Sequence, residues 1–218
     1  SDLARPTHVS FVNSIAEIYP DQETRRKETI RILRALAELE KKDGGPRQLI
    51  IIEPGSRESS RELAALKDQL RPEGQVLLPC LDDRACGALA DPKDWCHEEA
   101  QCEFPNWLNE LGAEAGLRKE SLLFSYAVIR PGAPQPWELS GCSRIVSQRM
   151  ERKGQVECRI CTKEGKRLAR VQRSKAEAGN EFLFTSVRGD LWRGAELGEK
   201  GDILRAEIIS PAKSSLFS

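Results

Sequence analysis

The run Gln48–Glu53, QLIIIE, is almost wholly apolar and too short for a buried helix. As a strand it sends alternate side chains to opposite faces, so both faces need covers, as in a parallel sheet flanked by helices. Upstream, Pro20-Asp21 breaks the chain and caps a helix over Asp21–Lys42. Ile30, Leu33, Leu36, Ala37 and Leu39 recur there near helical period, with Arg25, Arg26, Lys27, Arg31 and Arg34 on the wet side. Asp43-Gly44-Gly45-Pro46 stops that helix. Downstream, Pro54-Gly55-Ser56 turns the chain into a second amphipathic helix, Ser56–Leu70, with Leu63, Ala64, Leu66 and Leu70 inward. Thr7–Asn13 suits a buried strand before the first helix, with Ser14–Tyr19 as the connection, and Gln75–Leu78 is a third strand after the second helix. Strand, helix, strand, helix, strand at this spacing predicts right-handed βαβ units, hence an α/β fold.

Further on, Phe104–Gly116 places Trp107, Leu108 and Leu111 on one helical face, and Leu122–Arg130 is a strong strand closed by Pro131-Gly132. Pro134-Gln135-Pro136 reads as a linker. Beyond Gly141 the style changes. Gln155–Ile160 alternates Val156, Cys158 and Ile160 against Gln155, Glu157 and Arg159, a half-exposed strand. Lys163-Glu164-Gly165-Lys166 is a hairpin turn, Arg167–Gln172 its return strand, and Phe182–Val187 and Ile203–Ile209 are two more strands. The expected organisation is an α/β domain over residues 1–133, with an insertion at 79–103, followed by a small antiparallel β domain over 141–210.

The insertion carries four of the seven cysteines. A stretch so polar cannot order itself by apolar burial, but thiolates closing around a metal gain binding energy as folding energy. Ordinary buried cysteines lie in apolar strands, whereas Cys80, Cys86 and Cys96 lie among Asp82, Asp83, Arg84, Asp91 and Asp94. They are read as three ligands of one inorganic site. An odd cysteine count at wide spacing disfavours a disulfide framework, and a reducing compartment fits better. A closed site needs a fourth ligand. Cys102, His97, Cys158 and Cys161 are the choices; alternation keeps Cys158 on the core side and leaves Cys161 free at the strand end. Zinc and an iron–sulfur cluster remain alternatives on spacing alone. Cys142 has no motif around it and reads as structural. Trp95 and Trp107 read as covers for the site or as core, and Trp192 as core of the β tail.

Net charge is zero, yet the signs are divided. Residues 81–120 hold ten acidic against four basic side chains, and residues 144–175 hold eleven basic against three acidic. Such an excess over two adjacent strands points to an anionic partner, with nucleic acid first. The candidate contacts are Arg152, Lys153, Lys163, Lys166, Arg167, Arg170, Arg173 and Lys175. Shape reading of folded RNA needs no base-specific motif. No run of about 18 apolar residues is present to span a membrane.

Three passages together carry a resemblance. Asn13-Ser14-Ile15-Ala16-Glu17-Ile18 precedes Ile52-Glu53-Pro54-Gly55-Ser56. Pro79-Cys80, Cys86 and Asp94-Trp95-Cys96-His97 lead to Phe124-Ser125-Tyr126. Arg152-Lys153-Gly154, Cys161-Thr162-Lys163-Glu164-Gly165, Ser174-Lys175 and Arg188-Gly189-Asp190-Leu191-Trp192 follow. In this order they resemble the small-ribosomal-subunit methyltransferase-like family, that of methyltransferase-like protein 17 and its mitochondrial and bacterial relatives.

The resemblance implies that Thr7–Asn13, Gln48–Glu53, Gln75–Leu78 and an antiparallel Leu122–Arg130 are strands four to seven of a class I (Rossmann-like) methyltransferase sheet. It implies a [4Fe-4S] cluster on four cysteines and places the fourth at Cys161. It further implies association with small-subunit ribosomal RNA and ribosomal proteins, and the mitochondrial matrix, with bacterial cytoplasm as the alternative. The S-adenosylmethionine half of such folds opens on a glycine-rich turn, which has no counterpart before Thr7. The chain alone is therefore not expected to hold the donor, a separate N-terminal half is a further possible partner, and no catalytic residue is assigned. Asn13-Ser14-Ile15-Ala16 also departs from the Asn/Asp-Pro-Pro-Tyr/Phe motif of enzymes that methylate base nitrogens. The leading expectation is an assembly factor or component of the mitochondrial small ribosomal subunit. The alternatives are an active RNA methyltransferase completed by another segment, and a zinc-stabilised RNA-binding module.

Overall fold

Two sheets organise the computed structural model, which describes residues 7–117, 121–136, 139, 141–199 and 203–209, with residues 195 and 203–209 described through their backbone alone. Residues 1–6, 118–120, 200–202 and 210 of the expected domain spans lie outside the described residues.

The first sheet contains β1 (His8–Val12), β2 (Gln48–Pro54), β3 (Gly74–Leu78), β4 (Glu98–Gln101) and β5 (Ser121–Pro131). Its order is β1-β2-β5-β3, with β4 pairing the start of β5. β1 runs parallel to β2, while β5 is antiparallel to β2, β3 and β4. The sheet is therefore mixed. Its helices are α1 (Ile15–Ile18), α2 (Gln22–Asp43), α3 (Arg57–Leu70) and α4 (Asn106–Glu114).

Local signals set the helix ends. Asp21 accepts from the Thr24 N–H at 2.7 Å, and Gly44 closes α2 at φ 71°, a backbone that favours glycine. Ser56 caps α3 by accepting from the Ser59 N–H at 3.2 Å. Leu33 and Leu36 of α2, Leu63, Leu66 and Leu70 of α3, and Leu49, Ile51, Val76, Ala127 and Ile129 of the sheet share one core. Each fully buried side chain of this kind contributes about 1.5–3 kcal/mol.

Four expectations for this half are corrected. β1 is half open rather than buried, because no described strand pairs its outer edge. Arg25 is buried, not wet, since its guanidinium reaches Glu62 at 2.9 Å and the Tyr19 carbonyl at 3.0 Å. α4 buries none of its side chains: Trp107 is 64% and Leu111 56% exposed. Gln135, expected in a linker, is docked: its carbonyl accepts from Gln75 at 2.9 Å.

The second sheet is antiparallel: β6 (Ser143–Ile145), β7 (Met150–Arg152), β8 (Gln155–Thr162), β9 (Gly165–Gln172), β10 (Leu191–Leu197) and β11 (Ile203–Ile209). β9 lines one edge of β8, and β6 and β7 share the other end to end. The order continues through β10 to β11, which curls back toward β9 as a half-barrel. Val156, Cys158, Ile160, Leu183 and Trp192 form its core, with Phe182 packed edge-on against Trp192 at 4.9 Å. Phe182–Val187, expected as a strand, instead holds a 3-10 turn at Glu181–Phe184, which drops Leu183 into that core. Glu157, expected on the open side, is buried under Arg152 at 3.1 Å. Among the described residues no helix is long and apolar enough to cross a membrane.

Candidate metal centre

Residues 79–103 leave β3 and return through β4 to β5. Within them only Leu81, Ala88 and Glu98 are buried, so polar contacts do most of the positioning. α3 presents its polar side chains to this segment. Arg61 donates to the carbonyls of Ala88, Asp91 and Asp94 at 3.1, 2.7 and 2.6 Å. Asp68 accepts from the Cys86 N–H at 2.7 Å, and Arg71 donates to the Asp82 carbonyl at 3.1 Å. Lys67 donates to Cys80 Sγ at 2.8 Å.

The β8–β9 hairpin closes the opposite side. Lys166 pairs with Asp94 at 2.6 Å, and Arg84 donates to the Thr162 carbonyl. Gly87 comes so close to the hairpin that an added Cβ would meet the Lys166 nitrogen at 3.4 Å. Arg188 spans the same junction, donating to the carbonyls of His97 and Val146 at 2.7 and 2.9 Å.

Between these walls is a cleft of about 450 Å³, part of it open to solvent, lined by Cys80, Cys86, Cys96 and Cys161. Ala85, Ala88 and Val146 supply apolar lining, and Asp82, Arg84 and Lys166 its polar rim. Three thiols come from the insertion and the fourth from the penultimate residue of β8, opposite Arg144 and Lys166 in register. Among the described residues no group of three His, Cys, Asp or Glu side chains is set to hold a single metal ion.

All seven cysteines are free thiols. Of the other candidate fourth ligands, Cys158 is buried in the second core beside Val156 and Ile160, and neither Cys102 nor His97 lines the cleft. His97 stacks on Trp95 at 5.8 Å instead. Cys142 is buried against Leu81, Leu139 and Leu191.

Burial, and then the neighbouring sulfurs, push the Cys96 thiol up to about 11 and the Cys161 thiol up to about 12. Burial depresses the Lys67 ammonium, but the Cys80, Cys86 and Cys96 sulfurs more than offset it, leaving its pKa above the ordinary lysine value.

The basic side chains divide into separate groups. Arg152 and Lys153 lie at the β7–β8 turn, where the Arg173 N–H bonds the Gly154 carbonyl at 2.8 Å and brings Lys175 near. Lys163 and Lys166 lie at the far end of β8, roughly 25 Å away at 3.3 Å per residue. Arg167 and Arg170 are half buried between them. Several are matched by acids: Arg152 by Glu157, Arg173 by Glu151 and Lys166 by Asp94. Arg144, counted with the basic face, is buried, paired with Glu98 at 2.9 Å and set over the Tyr126 ring at 5.7 Å.

Sequence reasoning missed Arg61, Lys67, Asp68 and Arg71. Lys67 had a signal: it stands among Leu63, Ala64, Leu66 and Leu70 on the inward face of α3. A comparison with curated proteins returned no match. Residues 15–205 match the family described as mitochondrial small ribosomal subunit Rsm22. With that match running through both sheets and all four cleft thiols, the chain belongs to the mitochondrial small ribosomal subunit Rsm22 family.

Proposed function

We propose that the chain is a component or assembly factor of the mitochondrial small ribosomal subunit that carries a [4Fe-4S] cluster on Cys80, Cys86, Cys96 and Cys161 and contacts small-subunit ribosomal RNA. The family ties it to that subunit, and the matrix is the compartment the reading implies. The observation that carries the cluster is the single cleft lined by four thiols from two distant segments. Four cysteine thiolates can hold either zinc or an iron–sulfur cluster, and the resemblance to the methyltransferase-like family favours the cluster. When bound, the cluster supplies ligand bonds that fold a polar segment, together with a one-electron redox centre.

The protein's own residues do the rest. Arg61 and Asp68 hold the insertion against α3, Lys166 and Arg84 hold it against the hairpin, and Ala85, Ala88 and Val146 limit water at the thiols. The order β1-β2-β5-β3 with β5 reversed is that of the second half of a class I methyltransferase sheet, which supports the methyltransferase-like reading. In this proposal the sheet is a scaffold, and no methyl-transfer step is assigned to it.

For RNA, the set formed by Arg152, Lys153, Arg173 and Lys175 is the leading contact, with Lys163, Lys166, Arg167 and Arg170 completing the face. The test uses the full chain purified without oxygen. Wild-type and Cys102→Ser protein are expected to be brown, and Cys80→Ser and Cys161→Ser pale. Binding to small-subunit ribosomal RNA is expected to weaken with salt in the manner of counterion release. Colourless wild-type protein with stoichiometric zinc contradicts the cluster, and salt-independent binding contradicts the RNA contact.

A further inference from the structure

One charged side chain beside the cleft lacks the partner that its burial demands. Lys67 is 4% exposed on the inward face of α3, and its hydrogen bond goes to Cys80 Sγ at 2.8 Å. An ammonium taken out of water costs several kcal/mol unless an opposite charge compensates it. Of the other cations around the thiols, Arg144 has Glu98, Lys166 has Asp94 and Arg84 has Asp82, while Arg61 and Arg188 donate to backbone carbonyls. Among the described residues Lys67 has no carboxylate partner. Its positive charge is thus directed at sulfur.

We propose that Lys67 is the electrostatic positioning residue of the thiol site, a fixed cation that holds Cys80 on the α3 face, offsets the negative charge of the ligated thiolates and raises the reduction potential there. The inference rests on the cluster reading above. Geometry supports it independently of any ligand: the hydrogen bond at 2.8 Å fixes the Lys67 side chain on Cys80 Sγ, and α3, anchored by Leu63, Leu66 and Leu70 in the first core, gives it a rigid mount. One-electron reduction adds negative charge beside Lys67, so the reduced state gains more from the ammonium than the oxidised state does.

The experiment compares wild type, Lys67→Met and Lys67→Arg as full chains loaded without oxygen, reading iron and sulfide content, melting temperature and midpoint potential. Lys67→Met keeps an apolar stem of similar length and removes the buried charge, so it is expected to fold. Its midpoint is expected to shift negative by at least ~59 mV, the equivalent of about tenfold in a one-electron equilibrium. Lys67→Arg, which keeps the charge, is expected to stay near wild type. Should Lys67→Met not retain its cluster, loading with iron and sulfide is the second readout: markedly slower uptake than in Lys67→Arg supports the proposal, and equal uptake overturns it. A Lys67→Met protein loaded like wild type at an unchanged potential overturns this inference alone. Wild-type protein without iron and sulfide overturns the cluster reading and this inference with it.

Discussion

Around β2 the chain buries Leu33, Leu36, Leu49, Ile51, Leu63, Leu66, Leu70 and Ile129 in one continuous core. In residues 79–103, which leave and rejoin the same sheet, the buried side chains are Leu81, Ala88 and Glu98. The first region is held by apolar area, at about 25 cal/mol per Å². The second is held by directed contacts: Arg61 on three carbonyls, Asp68 on the Cys86 amide, Lys166 on Asp94 and Lys67 on Cys80. Apolar burial tolerates volume-conserving change and involves no titrating group. Directed polar contacts fix geometry, net only about 0.5–1.5 kcal/mol each, and leave room for a ligand to supply the rest.

Two substitutions separate these regimes most sharply. Leu49→Ala empties a fully buried site between α2, α3 and the sheet and is expected to cost ~2–5 kcal/mol by chemical denaturation. It acts on the whole chain and should leave the order of cleavage sites under limited proteolysis unchanged. Arg61→Ala is expected to cost ~1–3 kcal/mol, because it strands the carbonyls of Ala88, Asp91 and Asp94. Its effect should concentrate in faster cleavage within residues 79–103. Equal acceleration of cleavage across the β2 core would break the contrast. The smallest effect is expected at the second sheet: Lys153→Ala and Lys175→Ala, both exposed, should leave stability within about 0.5 kcal/mol and each lower the salt slope of RNA binding by about one.

The fold was legible wherever side-chain period decided it. Asp21, Gly44 and Ser56 mark helix ends through chemistry that acts over three or four residues. Quantities set by distant partners were not legible. Arg25 looks wet on α2 until Glu62 of α3 is beside it, and Glu157 looks exposed on β8 until Arg152 covers it. The apolar stripe of α4 suggested an inward face, yet Trp107 and Leu111 are exposed, because periodicity reports amphipathicity without saying what lies opposite. Phe182–Val187 has strand-like composition, but the core beside Trp192 is filled by a 3-10 turn there.

At the site, the type and placement of Cys80, Cys86 and Cys96 singled them out, and strand alternation separated Cys161 from Cys158. Lys67 was visible only as a break in an apolar pattern, since nothing local tells a helix residue that a thiol lies against it. The basic excess over 144–175 was countable, but its division into two ends and its pairing with Glu151, Glu157 and Asp94 depended on the tertiary structure.

The central claim is that the four cleft thiols hold one inorganic cluster that joins the insertion to the second sheet. Quantifying iron and acid-labile sulfide in anaerobically purified wild-type protein tests it most directly. The account predicts about four irons and four sulfides per chain, the content of the [4Fe-4S] type, falling toward zero in Cys161→Ser. Protein with stoichiometric zinc and no sulfide, or iron and sulfide retained in Cys161→Ser, would contradict it.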